Sequence, residues 1–188
     1  MRVTTYTSSS DAIDERYREA ARELGRALAA RGDELVYGGT AVGVMGVLAD
    51  AVRSAGGRVT GILPELMAER GLADEACDEL IVTPDMAGRK QQMISRADAF
   101  VALPGGFGTL EELFEVLTLK QLGYHSKPIV LLDLGGFYQP LLAMFEELFE
   151  RGFAKRDYER LYRVAADVEQ VIEMIERPED EDLPTKWF

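Results

Sequence analysis

Short apolar runs alternate with amphipathic stretches along most of the chain. Arg2 to Thr7 reads as a strand, as does Glu34-Leu35-Val36-Tyr37, which ends at Gly38-Gly39. Arg58 to Leu63 follows and is closed by Pro64. Glu79 to Thr83, Ala99 to Leu103 (stopped by Pro104) and Pro128 to Leu132 complete the strand candidates. Between them the apolar period changes from short runs to helical spacing. Residues 12–30 place Ile13, Tyr17, Ala20, Leu24 and Leu28 on one side, with Asp11 as the N-cap. A helix over 44–55 buries Val44, Val47, Leu48, Ala51 and Val52, and further helices cover 86–97, 109–122, 138–151 and 167–176.

This alternation predicts an α/β fold, a single Rossmann-like, doubly wound parallel sheet with helices on both faces. Ligands in such sheets sit beyond the carboxyl ends of the strands. Residues 1–176 read as one nucleotide-binding catalytic domain, and residues 177–188 as an acidic, mobile tail ending in Trp187-Phe188. In the helix 109–122, Leu110, Leu113, Phe114 and Leu117 are expected to face the sheet. Val116, Leu119 and Leu122 then fall on the other side. A helix apolar all round needs cover on both sides, and a second subunit is the simplest cover.

Composition narrows the function classes. Lys and Arg total 21 against 33 Asp and Glu, a formal net charge of −12. Such a surface repels polyanions, so no nucleic-acid partner is expected. No run reaches the ~18 apolar residues that span a membrane, and the first residues carry no apolar leader, so a cytoplasmic protein is expected. Cys77 is the only cysteine and lacks a visible base or redox partner.

Two glycine-rich loops fall where the fold puts ligands: Gly38 to Gly46, and Pro104-Gly105-Gly106-Phe107-Gly108-Thr109. In the second, a strand ends, glycines turn the chain and a helix is expected to start at Thr109. That arrangement aims free amides and the positive helix end at one anion. Neither loop carries the full G-x-G-x-x-G spacing, the first strand-to-helix turn (Thr7-Ser8-Ser9-Ser10) has no glycine, and no Gly-Lys-Ser/Thr occurs. Dinucleotide and Walker-type ATP sites are therefore disfavoured. Thr109-Leu110-Glu111-Glu112 matches a capping box, which would give Glu112 a structural role beside any catalytic one. Arg89 and Lys90 open the helix after the strand 79–83 and can reach the same mouth, although ordinary surface charges would also fit there.

Four segments together carry a resemblance: Val36-Tyr37-Gly38-Gly39-Thr40-Ala41-Val42-Gly43-Val44-Met45-Gly46, Met86-x-x-Arg89-Lys90, Pro104 to Glu112, and Gln121 to Pro128. They resemble the Lonely Guy (LOG) cytokinin-activating phosphoribohydrolases over residues 1 to 175. The resemblance implies a homodimer that splits a purine nucleoside 5′-monophosphate, of the cytokinin type or AMP, into free base and ribose 5-phosphate, without metal or cofactor. It assigns catalysis to Arg89 and Glu112, and phosphate binding to Gly105, Gly106, Gly108 and Thr109. Ser8, Gly38, Gly39, Met86 and Lys90 become further substrate contacts. The chain departs from the family pattern at Tyr6-Thr7, at Ala87-Gly88 and at Thr40. Family members often carry the label lysine decarboxylase; nothing around Lys90, Lys120 or Lys127 resembles a pyridoxal site. The same fold also serves molybdopterin or nucleotide carriers that hydrolyse nothing. His125 reads as a helix-end or interface residue, and Met45, Met86 and Met93 as core filler, with Met86 close enough to the motif to touch a base.

Overall fold

The computed structural model describes residues 1–177. Seven strands form one sheet: β1 (Arg2–Tyr6), β2 (Glu34–Tyr37), β3 (Val59–Pro64), β4 (Glu79–Thr83), β5 (Ala99–Ala102), β6 (Ile129–Leu132) and β7 (Arg163–Ala165). Their order is β4-β3-β2-β1-β5-β6-β7, and every pairing is parallel. The α/β doubly wound sheet read from the sequence is the fold observed. The helices are α1 (Glu15–Ala30), α2 (Gly43–Ser54), α3 (Glu65–Glu69), α4 (Met86–Arg96), α5 (Phe107–Gln121), α6 (Gln139–Glu150) and α7 (Val168–Glu176).

Two apolar layers explain the unbroken hydrophobic strands. Val3, Leu35, Tyr37 and Val101 point to a core shared with α1, α2 and α7. Their neighbours Tyr6, Val36, Ile62 and Phe100 point to the opposite core, with Met93 of α4 and Leu113 and Val116 of α5. Successive strand residues face opposite sides, so a sheet covered twice needs apolar residues at every position. Helices α1 and α2 approach closely at Gly25, where a Cβ would sit 2.7 Å from that of Ala51.

Several local expectations are corrected. Asp14, not Asp11, caps α1, its carboxylate accepting from the Arg16 amide at 3.0 Å, and Ile13 precedes the helix. The strand β7 and the single-turn helix α3 are additions. Three and five residues are too short to display a period. On α5 the buried side is Thr109, Glu112, Leu113, Val116 and Lys120, so Val116 faces the sheet and Phe114 does not. The helix packs by its 3–4 residue stripe, and that stripe includes polar residues that an apolar count passes over. The acidic tail lies outside the described residues from residue 178 onward. Among the described residues, no helix is long and apolar enough to cross a membrane.

His125 is held in a neutral form just beyond α5. Its Nδ1 accepts from the Lys127 amide at 3.2 Å, which leaves Nε2 to donate to the Val116 carbonyl at 3.0 Å. Burial, with Lys120 and Lys127 nearby, pushes its pKa down to about 4. The unfolded chain then takes up this proton near its ordinary value of about 6.5, while the folded chain resists until about pH 4. The contribution is complete above about pH 6.5 and is lost progressively as pH falls towards 4. Thermal melts across this range should show wild-type stability dropping more steeply than that of His125→Gln. Parallel curves would rule the effect out.

Candidate active site

The strand order reverses beside β1. From β1 the chain proceeds through β2, β3 and β4 on one side, then crosses to place β5 on the other. The loops leaving β1 and β5 therefore diverge and open a crevice, where this class of fold binds ligands. The crevice holds a cleft of about 630 Å³, bordered by the Thr7–Asp11 loop, the turn after β2, the start of α4 and the start of α5.

The start of α5 is built for an anion. Gly106 is its N-cap, no side chain caps it, and the first helical bond runs from the Leu110 amide to the Gly106 carbonyl at 3.1 Å. The amides of Phe107, Gly108 and Thr109 thus have no carbonyl within the helix and stand at its positive end. This overturns the capping box: Thr109 is the third helical residue and Glu112 the sixth, more than a full turn beyond the cap. Gly105 has a packing reason, since a Cβ there would overlap the Thr109 side chain. Gly106 and Gly108 meet nothing. Their missing side chains leave the rim open rather than relieve a clash.

Arg89 and Glu112 occupy core-facing positions of two different helices. Asp85 caps α4 by accepting from the Gly88 amide at 2.7 Å, which sets the helix phase so that Arg89 and Met93 share its inner face. Glu112 lies on the buried stripe of α5. Arg89 Nη1 donates to Glu112 Oε1 at 2.6 Å, and Arg89 Nε donates to the Ile62 carbonyl at 3.1 Å. The two residues are only 7% and 8% exposed, so each charge depends on the other. Breaking such a buried pair from one side typically costs about 3–5 kcal/mol. Burial raises the pKa of Glu112, and Arg89 opposes that rise. Tyr6, on β1, feels the same carboxylate: burial first and then Glu112 push its hydroxyl well above the usual tyrosine range.

Arg89, Glu112, Gly106, Gly108, Thr109, Ser8, Gly38 and Met86 all line the cleft. Gly39, Gly105 and Lys90 do not. Lys90 turns outward to Glu111 and to Glu115, 3.2 Å away. The sequence reading gave Ser10, Asp11, Met67 and Leu72 no part in the site. Met67 and Leu72 come from α3 and the turn after it, an element with no sequence signal. Together with Met45 and Met86 they add apolar side chains to a cleft lining that also includes the polar Ser8–Asp11 loop. Met93, by contrast, is core. Among the described residues, no group of three or more His, Cys, Asp or Glu could hold a metal ion.

Comparison with known proteins places this geometry. A family model described as "Possible lysine decarboxylase" matches residues 45–175. A cytokinin riboside 5′-monophosphate phosphoribohydrolase of Arabidopsis thaliana is 39% identical over 98% of this chain and 88% of its own length. The chain belongs to the LOG family. A protein of Oryza sativa subsp. japonica named "Probable cytokinin riboside 5'-monophosphate phosphoribohydrolase" is 40% identical to this LOG-family chain, over 98% of it and 77% of the relative. Among solved structures, the molybdenum cofactor carrier protein of Chlamydomonas reinhardtii superposes with a TM-score of 0.70 at 28% identity, covering 92% of this chain and 93% of the carrier. Among the described residues, no lysine lines the cleft of this LOG-family chain. Lys127 instead donates to the Ile94 carbonyl at 2.7 Å.

Titration of the side-chain carboxyls by carbon NMR should find Glu112 ionising above the ordinary glutamate value. Arg89→Met removes the cation that holds it down and should move it further up. A Glu112 that titrates with the exposed glutamates, or is indifferent to Arg89, would contradict the pairing described.

Proposed function

We propose that this chain is a phosphoribohydrolase that cleaves the N-glycosidic bond of a purine nucleoside 5′-monophosphate. The observation that carries the reading is the buried Arg89–Glu112 pair, set in one cleft with the uncapped start of α5. The names of the Arabidopsis and Oryza relatives support the same activity.

The 5′-phosphate occupies the amides of Phe107, Gly108 and Thr109, and this remote contact positions the scissile bond. Ribose then lies beside Glu112, and the base against the apolar side chains of Met45, Met67, Leu72 and Met86. As the C1′–N bond breaks, its electron pair leaves with the base and positive charge grows on the sugar. The Glu112 carboxylate stabilises that charge and takes a proton from the attacking water, whose oxygen bonds to C1′. The base departs with a proton drawn from solvent, Glu112 returns the water's proton to solvent, and ribose 5-phosphate remains. Arg89 opposes the rise that burial imposes on the Glu112 pKa, which favours the carboxylate form, and offsets negative charge on the phosphate or the leaving base.

Two further features belong to the reading. The active unit is a homodimer: Leu110, Phe114 and Leu117 form an apolar stripe on α5, with Phe114 42% exposed. A groove lined by Phe145, Phe149 and Tyr162 continues that stripe. A cytosolic setting fits a chain whose lone cysteine, Cys77, has no disulfide partner.

Incubation with AMP and with isopentenyladenosine monophosphate should release ribose 5-phosphate, and Glu112→Gln should lower kcat by at least about 100-fold while the fold is retained. The ratio of the two rates reports base preference. The likeness to the Chlamydomonas carrier favours a second reading, in which a ligand is bound and returned intact. Binding of either nucleotide with no sugar phosphate released by wild type would select that reading. Light scattering should give a dimer mass for wild type and a monomer for Phe114→Glu; a monomeric wild type would refute the homodimer.

A further inference from the structure

Behind the cleft lies a buried carboxylate that the mechanism does not use. Asp74 Oδ2 accepts from the Tyr37 hydroxyl at 2.6 Å and from Arg53 Nη1 at 2.8 Å, and Oδ1 accepts from the Ala76 amide at 3.1 Å. The Asp74 amide donates to the Gly39 carbonyl at 2.9 Å, and Thr40 bridges to Ala73. Residues 37, 39 and 40 are thus tied down from behind, through side chain and backbone together. Asp74 itself does not line the cleft.

The front of the same segment is the wall against which Arg89 lies. A Cβ on Gly38 would overlap Arg89 Nη2. Gly39, at φ +71°, is so close to β3 that a Cβ would sit 2.9 Å from the Ile62 nitrogen. The carbonyl of that same Ile62 receives Arg89 Nε. Arg89 therefore sits in a slot with Gly38 on one side and Ile62 on another, and from there its Nη1 reaches Glu112. A shift of the turn by a fraction of an ångström would close or widen it.

We infer that Asp74 is a positioning residue, which sets the slot that aims Arg89 at Glu112 by holding Tyr37, Gly39 and Thr40 in place. A carboxylate suits the task because it only accepts hydrogen bonds, and here three donors converge on it. Asn would turn an N–H₂ towards one of those donors. The kinetic part of the test rests on the hydrolase reading, and the titration part does not.

The experiment uses the full chain as wild type, Asp74→Asn, Tyr37→Phe and a control, Val171→Ala, which weakens the same core layer that holds Tyr37 but under α7, away from Asp74. Carbon NMR titration of Glu112 is measured in each, with kcat and KM for AMP across pH. The charged and titratable groups acting on Glu112 are Arg89 and Lys90 from α4, Glu111 from α5 and Tyr6 from β1. Only Arg89 should move in the two variants. Both should fold, titrate Glu112 at higher pH than wild type and lose about tenfold in kcat/KM. The acid limb of activity should move up with the titration, and Val171→Ala should change neither.

An unmoved Glu112 titration in folded variants, or an equal movement in Val171→Ala, would overturn the inference. Should Asp74→Asn not fold, Tyr37→Phe decides alone, since it deletes one hydroxyl and keeps the ring. A Glu112 shift in a wild-type background that hydrolyses nothing would sustain the positioning role and reject the hydrolase.

Discussion

The ion pair between Arg89 and Glu112 is the constraint around which the site is arranged. Two charges that are more than nine-tenths buried are tolerated only because they meet. Their meeting requires α4 and α5 to present charged residues on faces that elsewhere carry Met93, Leu113 and Val116. It also requires Gly38, because any side chain there would occupy the space of the guanidinium. The helix phases, the Asp85 cap and the turn after β2 all converge on this one 2.6 Å contact.

A strongly acidic chain that binds an anion has to create positive potential locally. Here the means are mostly backbone. The uncapped α5 start supplies amides and a helix dipole, and among the described residues Arg89 is the one basic side chain lining the cleft. Lys90 is withdrawn to Glu111 and Glu115 on the surface. The groups available to an anion are thus ones whose position the fold fixes, while the net charge of the chain stays negative.

Much of this was legible before any coordinates. Strand and helix order could be read because each element is long enough to show its period, and the anion loop could be read because three glycines between a buried strand and a helix have few other uses. The three-residue β7 and the single-turn α3 escaped, and with α3 went Met67 and Leu72 of the cleft lining. The capping-box match at Thr109 misled because the pattern is local, whereas the helix begins at Phe107, where the chain turns out of β5. Lys90 was grouped with Arg89 by adjacency, yet neighbours on a helix point about 100° apart and only one of them faces inward.

The sequence by itself determined the sheet class and the placement of the glycine loop, Arg89 and Glu112 around one mouth. Those depend on local periodicity and on residue chemistry carried within a few positions. Tertiary structure alone decided that Arg89 and Glu112, 23 residues apart, share a buried contact. It also decided that Asp74, from a loop without any motif, underlies the turn that frames them. Such pairings depend on how helices rotate and where strands lie in the sheet, which is set by packing over the whole core rather than by any single segment.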